Sequence, residues 1–333
     1  MKAYVLTELK QPLRAEDRPV PEPGPDQVRI RLRASGVCGT DIHVWEGELP
    51  VPLPLVLGHE PVGVIDTVGP GVTALRPGDR VGVSWFHDGC GRCPYCQKQQ
   101  SRFCADARTW IGNGGGHAEF MVAEAHGCTL LPDGLAWELA APLFCGGFSA
   151  MSAYRIARPI AGERVAVIGL GGLGHLAVQV AKAMGHEVVA VTGHADKRQE
   201  ATDLGASEVL VIKEHPGKEL EAMGGADVIL SFSPAMKQNS QMLEGLRPGG
   251  RLVTTAVSAE PIHADPVRML FKQTSLIGSA HNDRADLVDI LGLAAARKVR
   301  PAVETYGLDE VNRVMSRLAD GKVRYRAVLG MTE

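Results

Sequence analysis

Val165-Ala166-Val167-Ile168-Gly169-Leu170-Gly171-Gly172-Leu173-Gly174 is an apolar run that ends in a glycine-rich turn, and an amphipathic stretch over 175–184 follows it. A GxGxxG pattern alone is a weak signal, but between a strand and a helix it has a mechanism. Gly169 allows a tight turn, Gly171 lets the backbone approach a pyrophosphate, and Gly174 lets the helix lie close on the strand. The helix N-terminus then faces the phosphates. Gly172 and Leu173 complete the loop, so the stretch predicts the first βαβ unit of a dinucleotide-binding domain.

The same texture continues downstream. Apolar strand candidates at 164–168, 188–191, 208–211, 227–232, 251–256 and 275–278 alternate with helical stretches. Val228-Ile229-Leu230 lacks the polar alternation of a one-sided sheet, which predicts strands covered on both faces and therefore a parallel, doubly wound sheet. A helix with Leu287, Ile290, Leu291 and Ala294 on one face comes next, then a helix near 309–318 and a strand at 325–329. This tail is too short for a domain of its own and is expected to return to the first one.

The second strand of the domain ends in Thr192-Gly193-His194-Ala195-Asp196-Lys197-Arg198. An acid at the strand end would bond a ribose 2′-hydroxyl and repel a 2′-phosphate. Thr192 holds that place, and Gly193, His194, Lys197 and Arg198 suit a phosphate, so the segment favours NADP(H) over NAD(H). Lys197 and Arg198 read equally well as a solvated helix face.

Upstream, residues 1–140 are strand-rich. Short β-branched runs at 2–7, 27–34, 62–68, 80–83 and 118–123 are punctuated by Pro21-Glu22-Pro23-Gly24-Pro25, Gly69-Pro70-Gly71 and Arg76-Pro77-Gly78-Asp79. That pattern predicts a small β domain with its function on loops. Net charge is −3, which offers no footprint for nucleic acid or an anionic membrane surface. Apolar runs fall short of the ~18 residues of a membrane span. Residues 1–6 read as a first strand and not as a signal peptide. The expectation is a soluble, cytoplasmic protein.

Seven cysteines, an odd number, argue against a disulfide framework. Four of them form Cys90-x2-Cys93-x2-Cys96-x7-Cys104. Four thiolates on one short loop can close a tetrahedral shell, which makes a structural zinc site. An iron–sulfur cluster or a chance grouping of buried thiols are the competing readings. Elsewhere, Cys38-Gly39-Thr40-Asp41-Ile42-His43 and Gly58-His59-Glu60 place a thiol, an imidazole and carboxylates near each other in sequence. Asp41 can accept the second ring N–H of His59 and so fix its tautomer. Glu60 adjoins the imidazole and can enter or leave a metal shell. Taken singly, a buried cysteine and a satisfied core histidine are common.

In combination these motifs are specific. The 38–43 run, the 58–72 run, the four-cysteine lobe and the glycine-rich turn occur in the order seen in the zinc-containing alcohol dehydrogenases of the medium-chain dehydrogenase/reductase family, which the chain resembles over essentially its whole length. The resemblance implies an α/β protein: a GroES-like, β-rich catalytic domain at 1–146, with the lobe at 88–105, completed by 279–333, and a Rossmann domain at 147–278. It implies Cys38, His59 and Cys145 as catalytic zinc ligands with one position open to a substrate oxygen, and Glu60 as the nearby carboxylate. By spacing alone Cys145, in Pro142-Leu143-Phe144-Cys145-Gly146-Gly147-Phe148-Ser149, is equally a buried thiol. Cys128 is left to the core.

The resemblance also implies Arg326 and Ser149 as cofactor contacts; without it Arg326 is an ordinary surface charge. It implies a proton path through Thr40, the cofactor ribose and His43, whose bland readings are a turn-capping threonine and an exposed histidine. Trp85 matches a position lining the family's substrate pocket; Leu49 and Trp110 are looser candidates, and core packing competes for each. The implied activity is hydride transfer between NADP(H) and a primary, hydrophobic or aromatic alcohol or aldehyde, with two zinc ions per chain. A polyol or secondary-alcohol dehydrogenase and a non-catalytic, cofactor-binding redox sensor are the alternatives. A homodimer or homotetramer is implied, with an edge strand near Leu276 available to pair across a two-fold axis.

Overall fold

A computed structural model describes residues 1–331, with the side chains at 88, 112 and 113 left aside. The chain divides into two compact units, Met1–Cys145 with Pro301–Glu333, and Gly146–Arg300.

The first unit is built on a seven-stranded sheet. Its order is Cys128–Leu130, Arg80–Val83, Glu60–Val68, Gln27–Val37, Arg326–Gly330, Val303–Gly307, with Phe120–Glu124 also pairing with Gln27–Val37. The long strand Gln27–Val37 shows why. Val28, Ile30 and Leu32 alternate with arginines, so one face enters the core and the other meets solvent. That core face packs with Ile65, Val81, Val83, Met121 and Cys128, which settles Cys128 as a core thiol. A second core collects Leu6, Val37, Ile42, Trp110, Val314 and Leu329.

The helix Gly39–Glu46 was not evident from periodicity. It begins immediately after Cys38, because the Asp41 carboxylate accepts the Cys38 backbone N–H at 2.8 Å and satisfies a free donor at the helix start. Gly47, at φ 83°, ends it in the left-handed conformation that glycine tolerates. Val303–Gly307 is a further strand absent from the sequence reading, and pairs in parallel with Arg326–Gly330.

The second unit is a six-stranded parallel sheet in the order Glu208–Val211, Glu187–Thr192, Arg164–Ile168, Ala226–Ser231, Leu246–Thr254, Ser275–Gly278. Val165 pairs with Val188 on one side and Val228 on the other, and every residue of Arg164–Ile168 is buried. The strand order reverses beside this strand, so the glycine-rich turn lies at the switch point where open α/β sheets bind ligands. One expectation is corrected here. Residues 279–300 group with the second unit, and only the chain from Pro301 onward completes the first. The helix Arg284–Ala295 buries Asp286, which accepts a 2.8 Å hydrogen bond from Ser152 in the helix Gly146–Ala157. The partner lies 134 residues away, beyond any local signal.

Candidate active site

Cys38 follows the strand Gln27–Val37, His59 immediately precedes and Glu60 opens the strand Glu60–Val68 that pairs with it, and Cys145 closes the short 3-10 turn Ala141–Phe144. The first unit brings all four together: a ligand atom from each of Cys38, His59, Glu60 and Cys145 lies within 4.8 Å of the others. The two sulfurs are 3.8 Å apart. Asp41 is buried behind them, taking the backbone N–H groups of Cys38 at 2.8 Å and Gly58 at 3.1 Å. Its Oδ1 stands 3.5 Å from His59 Nδ1, close enough to orient the ring.

The buried groups shift one another strongly. Hydrogen bonding with Cys145 is foremost in holding the Cys38 thiol well below its ordinary value; burial opposes this, and Arg326 and His59 reinforce it. Burial opposes charge on His59, but Asp41 and then Cys38 raise its proton affinity well above normal. Burial pushes Glu60 up to about 7, against the pull of Arg326. Both His59 ring nitrogens and Glu60 Oε2 are buried with no hydrogen-bond partner. Two soft sulfurs and an imidazole, with a carboxylate beside them that can enter or leave the shell, fit a zinc ion.

The four lobe cysteines also converge, with their sulfurs within 4.8 Å of one another. Cys104 accepts the Cys90 N–H at 3.3 Å, Cys90 that of Cys93 at 3.4 Å, and Cys93 that of Cys96 at 3.4 Å. Backbone N–H groups aimed at sulfur stabilise thiolates. The Arg92 and Cys93 backbones pull Cys90 down to about 6. This all-sulfur set fits a closed structural zinc.

Around the mixed cluster, Thr40 Oγ1 lies 3.9 Å from Cys38 Sγ. His43 is half-buried on the same helix, with Nδ1 2.5 Å from Glu48 Oε2. The rings of Trp85 and Trp110 stand 5.6 and 6.0 Å from the His59 ring, and 5.5 Å from each other. Trp110 is 1% exposed and belongs to the core, whereas Trp85 and Leu49 are only partly buried against it.

In the second unit the glycines behave as their spacing predicts. Gly169 has φ 92°. A Cβ on Gly174 would come within 2.0 Å of the Gly169 carbonyl, while one on Gly171 would meet nothing within 4 Å, leaving that backbone approachable. The second strand ends at Thr192, whose hydroxyl accepts the His194 N–H at 3.2 Å. Gly193 and His194 are exposed. Lys197 Nζ donates to the Leu170 carbonyl of the glycine-rich turn at 2.7 Å, so it is tied to the loop, while Arg198 donates to Val209 O at 3.2 Å. Ser149 is buried in the first turn of Gly146–Ala157.

Two residues escaped the sequence reading in part. Arg326 is buried in the first unit, where it donates to Glu60 Oε1 and has Nη1 4.0 Å from Cys38 Sγ. His117 is fully buried, 3.3 Å from the Ser35 hydroxyl, and burial pushes it down to about 4. Its only sequence signal was a lone histidine after Gly114-Gly115-Gly116.

Comparison with known proteins follows the same division. The Alcohol dehydrogenase GroES-like domain matches residues 24–133, and the Zinc-binding dehydrogenase family matches residues 172–296. An alcohol dehydrogenase of Geobacillus stearothermophilus is 39% identical over 336 residues, covering 99% of both chains. An NADP-dependent alcohol dehydrogenase C of Mycobacterium bovis is 32% identical, over 99% of this chain and 98% of its own. Among solved structures, a cinnamyl alcohol dehydrogenase of Sorghum bicolor superposes with a TM-score of 0.89 at 31% identity, over 99% of this chain and 97% of its own.

Proposed function

The chain belongs to the zinc-containing alcohol dehydrogenases of the medium-chain dehydrogenase/reductase family and is an oxidoreductase of small alcohols or aldehydes, and from that premise we propose that it interconverts primary, hydrophobic or aromatic alcohols and their aldehydes with NADP(H). Two zinc ions serve each chain in this proposal, one held by Cys38, His59 and Cys145 and one by Cys90, Cys93, Cys96 and Cys104. When bound, the first zinc supplies Lewis acidity toward a hydroxyl or carbonyl oxygen, and the nicotinamide gives or takes the hydride.

The chain's own residues do the rest. Asp41 holds the His59 ring and the Cys38 backbone in register. Thr40 Oγ1, two residues beyond Cys38, takes the proton of a substrate hydroxyl. His43, with Nδ1 beside Glu48, would receive it by way of the cofactor ribose and pass it to solvent. Trp85, backed by the buried Trp110, gives an apolar wall beside His59 that excludes water and favours a hydrophobic tail.

The observation that carries the reading is the convergence of two sulfurs and an unpartnered imidazole nitrogen beside that aromatic wall. Support for NADP(H) comes from Thr192 at the strand end, where an acid would repel a 2′-phosphate, and from the exposed Gly193 and His194 next to it. A homodimer or homotetramer is supported by the strand Ser275–Gly278, which pairs on one side only among the described residues and carries exposed Leu276, with Leu270 and Phe271 exposed just before it.

A steady-state screen tests the reading. Benzaldehyde-type aldehydes with NADPH should turn over with kcat/KM at least about 10-fold above that with NADH, and sorbitol should be a poor substrate. Preference for sorbitol would move the reading to the polyol class; no turnover with metal loaded would favour the sensor.

A further inference from the structure

Gly36 lies on the strand Gln27–Val37, directly opposite Glu60 in the antiparallel register. Residues so paired send their side chains to the same face, with Cβ atoms about 5 Å apart. A Cβ placed on Gly36 would fall 1.8 Å from Glu60 Oε2, 2.8 Å from its Cδ and 3.1 Å from its Cβ, and these are the three nearest atoms. The Glu60 carboxylate therefore occupies the volume of the side chain that Gly36 lacks.

Backbone conformation does not explain this glycine. Its φ is outside the left-handed region, so an L residue suits the strand there. Glycine inside a strand also weakens it. Gly63, on the partner strand, makes the contrast: a Cβ there would strike the Arg31 backbone carbonyl at 2.2 Å, a clash with the sheet itself. At Gly36 the obstacle is one functional side chain.

That side chain is unevenly held. Glu60 is fully buried, Oε1 is bound by Arg326, and Oε2, the atom in the notch, has no partner. No hydrogen bond fixes Oε2, so the notch at Gly36 is what sets its place beside the Cys38, His59 and Cys145 set. We propose that Gly36 is a positioning residue: its missing side chain is the seat in which Glu60 Oε2 rests withdrawn from the metal, which leaves the fourth ligand position to substrate. A methyl group in the seat drives the carboxylate, pinned at Oε1 and enclosed by protein, onto the metal. The inference rests on the zinc reading above and assigns the control of that site's open position to a residue that touches neither metal nor substrate.

The test is a four-way comparison of wild type, Gly36→Ala, Glu60→Ala and the double variant, each loaded with Co2+ at the catalytic site. Visible absorption reports the metal's coordination, and titration with imidazole reports access to its open position. Gly36→Ala should change the cobalt spectrum and weaken imidazole binding about 10-fold or more, the scale on which changes behind metal ligands act. In the Glu60→Ala background the same substitution should change both by less than about 2-fold. An unchanged spectrum and affinity in Gly36→Ala, or an equal effect with and without Glu60, overturns the proposal. Should Gly36→Ala fail to fold, a folded double variant supports the seat and an unfolded one overturns it. A wild type that binds no cobalt at this site overturns the zinc reading as well, which separates the two failures.

Discussion

Among the described residues, two clusters of four candidate ligands stand in contrast. In each, the ligand atoms lie within 4.8 Å of one another. The lobe cluster comes from fifteen consecutive positions, Cys90 to Cys104, and three of its four cysteines are half-exposed. Its sulfurs are held by backbone N–H groups of their own loop. The mixed cluster comes from three separate segments, every member is buried, and its supports, Asp41 and Arg326, are side chains brought from elsewhere. Four identical soft donors make a shell with no reason to open. Two sulfurs, an imidazole and a carboxylate tied to an arginine make a shell with one ligand that can withdraw. On the proposed reading, the difference between a structural and a working metal site lies in the donor that is held back.

The largest expected effect breaks the comparison at its mixed side. His59→Ala should lower kcat/KM by about 1,000-fold or more, the scale of several kcal/mol of charge stabilisation. Metal analysis of the same sample should show the lobe's zinc retained. Loss of both metals would mean that the two clusters are not independent.

The converse substitution acts on stability. Cys93→Ala removes a lobe ligand whose metal orders a segment with little core of its own. Thermal unfolding should shift down by about 5–10 °C, and limited proteolysis should cut within 88–105. A variant as stable as wild type would show that the loop's own hydrogen bonds suffice.

A smaller effect sharpens the contrast in exposure. With metal stripped, Cys90 is a thiolate above about 6, because the Arg92 and Cys93 backbone N–H groups lower its pKa, and burial pushes Cys96 up to about 12. Alkylation of Cys90 should therefore reach half its maximal rate near pH 6, ahead of Cys96. Cys38 and Cys145 should stay unmodified because they are buried. Mass mapping after a brief pulse distinguishes the four sites, and labelling of Cys38 first would contradict the buried geometry.

Much of this was legible in the residues. The lobe reads directly from four cysteines at short spacing, and the glycine-rich turn from a strand, three glycines and a helix in order. The strand boundaries 164–168, 208–211 and 275–278 were recovered as they stand. Other features were out of reach. The helix after Cys38 forms through an Asp41 contact that periodicity does not encode. The helix Arg284–Ala295 was recognised as amphipathic, yet its partner was not, because an apolar stripe states that a face will be buried and not against what.

By itself the sequence determined what is local: donor types at fixed intervals, the chemistry of the turn, and two textures that divide strand-rich from alternating chain. Only the tertiary structure decided that Cys145 joins Cys38 and His59, that Arg326 holds Glu60 across 266 residues, and that Gly36 leaves room for a carboxylate. The reason is physical. Spacing along a chain sets which groups can meet within one loop or turn, whereas strand register and burial, which choose distant partners, are settled only when the whole unit packs.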